Sequence, residues 1–127
     1  MKEYMLLIRN TVDSKSGMSA DEHLTFVKAC EAYIDQLKTN GNLISAQPLI
    51  REGVVLSGTA GNFTIGPYDE NAEVQVGYYH ILANSIDEAV TIAKGNPEFA
   101  FTRTARVEIR PLKVVEEATA YQYPGKK

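Results

Sequence analysis

Val74-Gln75-Val76-Gly77-Tyr78-Tyr79-His80-Ile81-Leu82-Ala83 is the stretch on which the fold turns. Its β-branched and aromatic residues read as the strongest strand of the chain. Alternation predicts Val74, Val76, Tyr78, His80 and Leu82 on one face and Tyr79, Ile81 and Ala83 on the other. Neither face is conventionally polar, so the strand belongs at the centre of a sheet.

Working outward, Ser85-Ile86-Asp87-Glu88 follows at once as a capping box, and Ile86, Ala89, Val90 and Ala93 line one side of a short helix closed by Gly95 and Pro97. Thr104 to Leu112 is the last strand, with Ala105, Val107 and Ile109 apolar and Arg106, Glu108 and Arg110 alternating on the other side. Upstream, Val54 to Ser57 and Asn62 to Ile65 flank Gly58-Thr59-Ala60-Gly61 as a small hairpin. Leu43 to Ile50 reads as an edge strand, because Pro48 lacks the amide a central strand needs.

A second capping box, Ser19-Ala20-Asp21-Glu22, opens a helix that runs to about Asn40 and stops at Gly41; His23, Val27, Cys30, Ile34 and Leu37 form its apolar stripe. A polar loop, Asp13 to Gly17, precedes it. Tyr4 to Arg9 is the first strand, apolar on both faces. With the hairpin set aside, the order is strand, helix, strand, strand, helix, strand: an α+β, ferredoxin-like βαββαβ domain over residues 1–112, with an antiparallel sheet and a C-terminal tail over 113–127. Two helices cover one face of such a sheet. A second subunit is the simplest cover for the other, and burying about 600 Å² per subunit would contribute on the order of 15 kcal/mol before association costs. The expectation is a homodimer with its sheets face to face.

The 127 residues, 44% hydrophobic and 23% charged, fit one globular domain and exclude a two-domain enzyme. A net charge of -3 argues against a nucleic-acid partner. One cysteine, Cys30, permits neither an internal disulfide nor a zinc ribbon, and Met5 to Ile8 is too short an apolar run for a signal peptide or membrane span. The expected setting is cytoplasmic, with no metal and no membrane partner, and the Asn62-Phe63-Thr64 sequon is coincidental there. No P-loop, GxGxxG, HExxH or GxSxG is present, so no cofactor is expected.

Lys2 to Ile8, Gly66-Pro67-Tyr68-Asp69-Glu70, Gly77-Tyr78-Tyr79-His80-Ile81, Ser85 to Ala89 and Val107 to Pro111 together resemble the YCII-related, DGPF-type family of small dimeric α+β barrel proteins. The likeness covers roughly residues 1 to 112 in five ordered motifs. Ile65 stands where that family has its Asp, Ala72 replaces a Lys, Val76 the first Gly of a pair and His80 an aliphatic residue, while Glu70, Glu73, Gly77, Tyr78, Tyr79, Glu108, Arg110 and Pro111 fit the pattern. The resemblance implies a dimeric barrel. It carries over no catalytic pair, since neither His23 nor His80 falls in a matching motif of the family's enzymatic branch.

His80 is the candidate catalytic residue: an imidazole midway along a central strand, sharing a face with Tyr78, is suited to acid–base chemistry near neutral pH. The plainer explanation is a hydrogen-bonded core or interface histidine. Tyr78, Arg106, Glu108 and Arg110 are candidate ligand-binding residues for an anionic or aromatic small molecule, against a solvated cross-strand ion ladder as the alternative. Of Tyr78 and Tyr79, at most one enters a given cavity. His23 and the pair Glu70 and Glu73 are weaker candidates. The expected function is a small organic ligand bound between the sheets of a homodimer, with cofactor-independent, lyase-type chemistry through His80. The alternative is a non-catalytic regulatory or protein-interaction module, for which the family resemblance implies a link to sigma-factor regulation.

Overall fold

The computed structural model describes residues 1–11, 17–68 and 73–125. Asp13 to Ser16 of the expected polar loop, and Glu70, lie outside the described residues. The elements run β1 (Lys2–Asn10), α1 (Ala20–Thr39), β2 (Leu43–Pro48), β3 (Val54–Thr59), β4 (Asn62–Pro67), β5 (Val74–Ala83), α2 (Ile86–Lys94), α3 (Glu98–Phe101), β6 (Arg106–Pro111), β7 (Val115–Glu116) and β8 (Tyr121–Gln122). Four strands form an antiparallel sheet in the order β2-β5-β1-β6. The α+β, ferredoxin-like arrangement expected from the element order is therefore present. The doubly apolar β1 and β5 are central, and the Pro48 strand and the Arg-Glu-Arg strand are the edges, as strand chemistry requires.

Helix α1 begins on a complete capping box: Ser19 Oγ accepts from the Glu22 amide at 3.1 Å and the Glu22 carboxylate accepts from the Ser19 amide at 3.4 Å. At α2 the box is incomplete. Ser85 Oγ accepts from the Glu88 amide at 3.2 Å, but the Glu88 carboxylate reaches past Ser85 to Asn84, taking its side-chain amide at 3.0 Å. Asn84 offers two donors on one residue and wins the carboxylate.

Both helices lie on one face of the sheet. Tyr4, Leu6 and Ile8 of β1 and Tyr79, Ile81 and Ala83 of β5 meet Tyr33, Leu37, Ala89 and Ala93 there, and Leu6, Ile81, Ala83 and Ala89 are fully buried. The buried stripe of α1 is centred on Phe26, Tyr33 and Leu37, while Val27, Cys30 and Ile34, read as its middle, are only half-buried along its rim. Tyr33 anchors the two helices together: its hydroxyl donates to the Ile92 carbonyl at 2.6 Å, and its ring packs edge-on against Tyr79 at 5.4 Å.

The facing of β5 departs from simple alternation. Its register with β1 slips between Ile8, opposite Gly77, and Arg9, opposite Gln75. This bulge moves Val74 across to the covered face, where it pairs with Asn10 and is buried, and Val76 packs with the core instead of standing beside Tyr78. The back of the sheet therefore carries Met5, Leu7, Tyr78, His80 and Leu82, all half-buried. The most exposed apolar cluster lies elsewhere, on the β3–β4 hairpin, with Val54 71%, Leu56 61%, Phe63 61% and Ile65 70% exposed.

Candidate functional site

On the open face, β5 presents His80 and Tyr78, β1 presents Glu3, Met5, Leu7 and Arg9, and β6 presents Arg106, Glu108 and Arg110. Register decides who meets whom. Met5 sits opposite His80, so Glu3, two residues before it, is the diagonal neighbour within side-chain reach. Glu3 Oε1 and His80 Nε2 lie 2.7 Å apart, both largely shielded from solvent. His80 Nδ1 makes no hydrogen bond among the described residues.

The guanidinium residues do not reach this pair. Arg110 bonds Glu108 at 3.3 Å, Glu108 bonds Arg9 at 3.1 Å, Arg9 approaches Glu73 at 3.5 Å, and Arg106 grips Glu73 with two parallel bonds of 2.7 and 2.6 Å. The result is an alternating row of three cations and two anions. The Arg106 fork, with Arg9 behind it, holds the Glu73 carboxyl below its ordinary range. Of the sequence-predicted candidates, Arg106, Glu108 and Arg110 are thus joined in one ladder, His80 stands apart from it beyond β1, and Tyr78 shares their face without, among the described residues, a polar bond to any of them.

The chain after β6 turns back over the His80 end. β7 and β8 pair as a short hairpin, tied by Tyr123 hydroxyl to Glu116 at 2.7 Å and Lys113 to Glu116 at 3.0 Å. A groove of about 320 Å³ opens between Glu3, His80, Leu112–Val115 and Gln122–Gly125.

The covered face holds a second cavity, of about 250 Å³. Its walls are Phe26, Cys30 and Ile34 from α1, the Ala46–Pro48 end of β2 with Leu49 and Arg51 beyond it, Tyr79 from β5 and the Asn96–Glu98 turn. Gly77 makes this corner possible, since a side chain there would run into the Gln47 carbonyl and Pro48 Cα, at 3.0 and 3.2 Å, and push β2 off the sheet. His23, near the Phe26 ring in the first turn of α1, does not line the cavity. Tyr79 is the tyrosine of the adjacent pair that does.

A polar knot closes one side of this cavity. Asn10 donates from Nδ2 to Glu98 at 3.1 Å and to Thr102 Oγ1 at 2.9 Å, and accepts from Thr104 Oγ1 at 2.5 Å. Burial pushes the Glu98 carboxyl above its ordinary 4.5, against the Asn10 bond that pulls it down. Burial also raises the Cys30 thiol to about 11, with Glu98 adding to the effect, and lifts Tyr33 to about 12 and Tyr79 further still. Cys30 is therefore a neutral, unreactive thiol near neutral pH. Glu3, Asn10 and Glu98 escape a reading of the sequence, because each acts through a partner 77 or 88 residues away. Among the described residues no group of three or more His, Cys, Asp and Glu could hold a metal ion, and no helix is long and apolar enough to cross a membrane.

Comparison with protein families matches the YCII-related domain over residues 2–113. That span takes in both central strands, both long helices, the β3–β4 hairpin and the covered cavity. No curated protein matches the chain.

Proposed function

We propose a role for a chain that belongs to the YCII-related domain family: it binds a small, largely apolar organic molecule in the cavity between α1 and the β2–β5 corner of the sheet. The observation that supports this is the company the cavity keeps, an apolar wall with a few converging polar groups whose titration is displaced by burial. An apolar cavity of about 150 Å³ already admits benzene, so about 250 Å³ suits one ring with a substituent. The Glu98 carboxyl and the Asn96 and Gln47 side chains offer orienting hydrogen bonds to a hydroxyl or amino group. On this reading the binding site lies within a single subunit, whereas the sequence led us to expect it between two sheets. Titration of phenol, indole and benzylamine followed by amide NMR tests the reading: saturable shifts centred on Cys30 and Tyr79 are expected, and an Ala46→Phe variant should abolish them. Absence of saturation with all three, or shifts unchanged in the variant, would refute it.

A second reading draws on the Glu3–His80 pair. A carboxylate that fixes one imidazole nitrogen at 2.7 Å and leaves the other uncommitted is the arrangement a general base requires, and it borders a groove of its own. On this reading the face-to-face homodimer would enclose His80, Tyr78 and the Arg106–Glu108–Arg110 ladder, and acid–base chemistry would follow there. A His80→Gln variant that folds and retains full turnover of a substrate found for the wild type would eliminate it.

A further inference from the structure

The β3–β4 hairpin is amphipathic, and its apolar side is left uncovered by the described residues. Cross-strand pairing places Leu56 opposite Ile65, Gly58 opposite Phe63 and Val54 opposite Pro67, so these six share one face, while Ser57, Thr59, Asn62 and Thr64 share the other with Val55 and Gly66. This is the alternation of a strand pair with one buried and one wet side. Yet Val54, Leu56, Phe63 and Ile65 are each more than three-fifths exposed, and among the described residues the hairpin makes no substantial contact with any other element. A lone two-stranded hairpin is marginal in water, so a pair this regular calls for a cover.

We infer that the β3–β4 hairpin is a docking arm whose apolar face packs on a second copy of this chain. Two observations select that occupant. From Gly53 to Pro67 the sequence contains no charged residue, so two copies of a chain with net charge -3 can meet at their arms without like-charge repulsion, and the face offers a charged foreign partner no complement. The four large side chains together expose roughly 400 to 500 Å² of apolar surface, and a twofold contact that uses the patch on both copies approaches the ~1,000 Å² of a specific interface. The surface also lacks the inward charge or Pro with which soluble proteins guard such strands, Pro67 lying only at the far end of β4. The inference is independent of what the cavity binds, and it adds a contact distinct from the open sheet face.

Sedimentation of the intact chain, its Leu56→Lys/Phe63→Lys variant and its Leu7→Lys variant on the open sheet face tests it. The wild type should associate at micromolar concentration, and the arm variant should do so at least tenfold more weakly, with unchanged circular dichroism. A wild type that stays single at high micromolar concentration overturns the inference. So does an arm variant that associates as tightly as wild type while Leu7→Lys does not, which would assign self-association to the sheet face alone. Should the arm variant misfold, hydrogen exchange of the unmodified chain decides: protection of the Leu56 and Ile65 amides should rise with protein concentration, and concentration-independent exchange overturns the inference.

Discussion

The two faces of one sheet, built from the same four strands, hold their polar groups in opposite ways. On the covered face burial dominates: Glu98, Cys30, Tyr33 and Tyr79 are all pushed toward their neutral forms. On the open face pairing dominates, with Glu73 held in its charged form by Arg106 and Arg9. Alternation is the cause, since each step along β1 crosses from one regime to the other: Leu6 is fully buried, while Leu7 is half-buried opposite Glu108. A ligand site of apolar character belongs to the first face and an ion-pair row to the second.

The largest expected effect tests that contrast directly. Leu6→Ala removes a fully buried side chain from the core and should cost about 3 kcal/mol in urea unfolding, whereas Leu7→Ala, one residue on, should cost about 1 kcal/mol. Equal losses would break the comparison, because they would mean that the open face is also a closed core, covered by another subunit. Next in size is Asn10→Ala. It strips the partner from a buried Glu98 and from the Thr104 hydroxyl, and a loss of about 2 kcal/mol is expected, measured the same way.

Those two positions also mark how far the sequence could be read. Helix starts were legible because Ser19 and Ser85 act on residues three positions away. The central and edge strands were legible because Pro48 and the Arg106–Arg110 alternation are local signs of an edge. The facing of Val74 was not, because one bulged residue, Val76, reverses the parity beyond it and nothing in the strand's composition announces the slip. The candidate sites were legible in half: His80 was conspicuous as a titratable group within a central strand, but Glu3 became its partner only through the register that sets Met5 opposite it. The covered cavity depended on a close approach of β2 to Gly77, a three-dimensional fact without a local signature.

A third prediction sharpens the covered side. Because burial raises the Glu98 carboxyl above its ordinary 4.5, the folded chain binds more protons than the unfolded one between those two values, and stability falls as pH rises through that window. Glu98→Gln keeps an acceptor for Asn10 and has no charge to bury. The variant should therefore melt higher than wild type at neutral pH, with the advantage disappearing below about pH 4.5. A wild type that instead gains stability through this range, relative to the variant, would show that Glu98 is charged and compensated.

The smallest effect belongs to the open face and carries the opposite sign. Arg106 depresses the Glu73 carboxyl, so the folded chain binds fewer protons than the unfolded one between the lowered value and 4.5. The stabilisation is complete above 4.5 and is lost as pH falls through the depressed value. Arg106→Gln should weaken that acid-side dependence, melting slightly below wild type at neutral pH and converging with it in acid, and the difference should be small because the guanidinium is well exposed and water and salt screen the pair. The check is a melting curve at pH 3 to 7 in low and high salt. Salt should collapse the wild type onto the variant, while the Glu98 difference, set by burial and not by a solvated partner, should survive. If added salt removed both differences equally, the two faces would not differ in kind, and the division between a desolvated face and a charge-paired one would have to be given up.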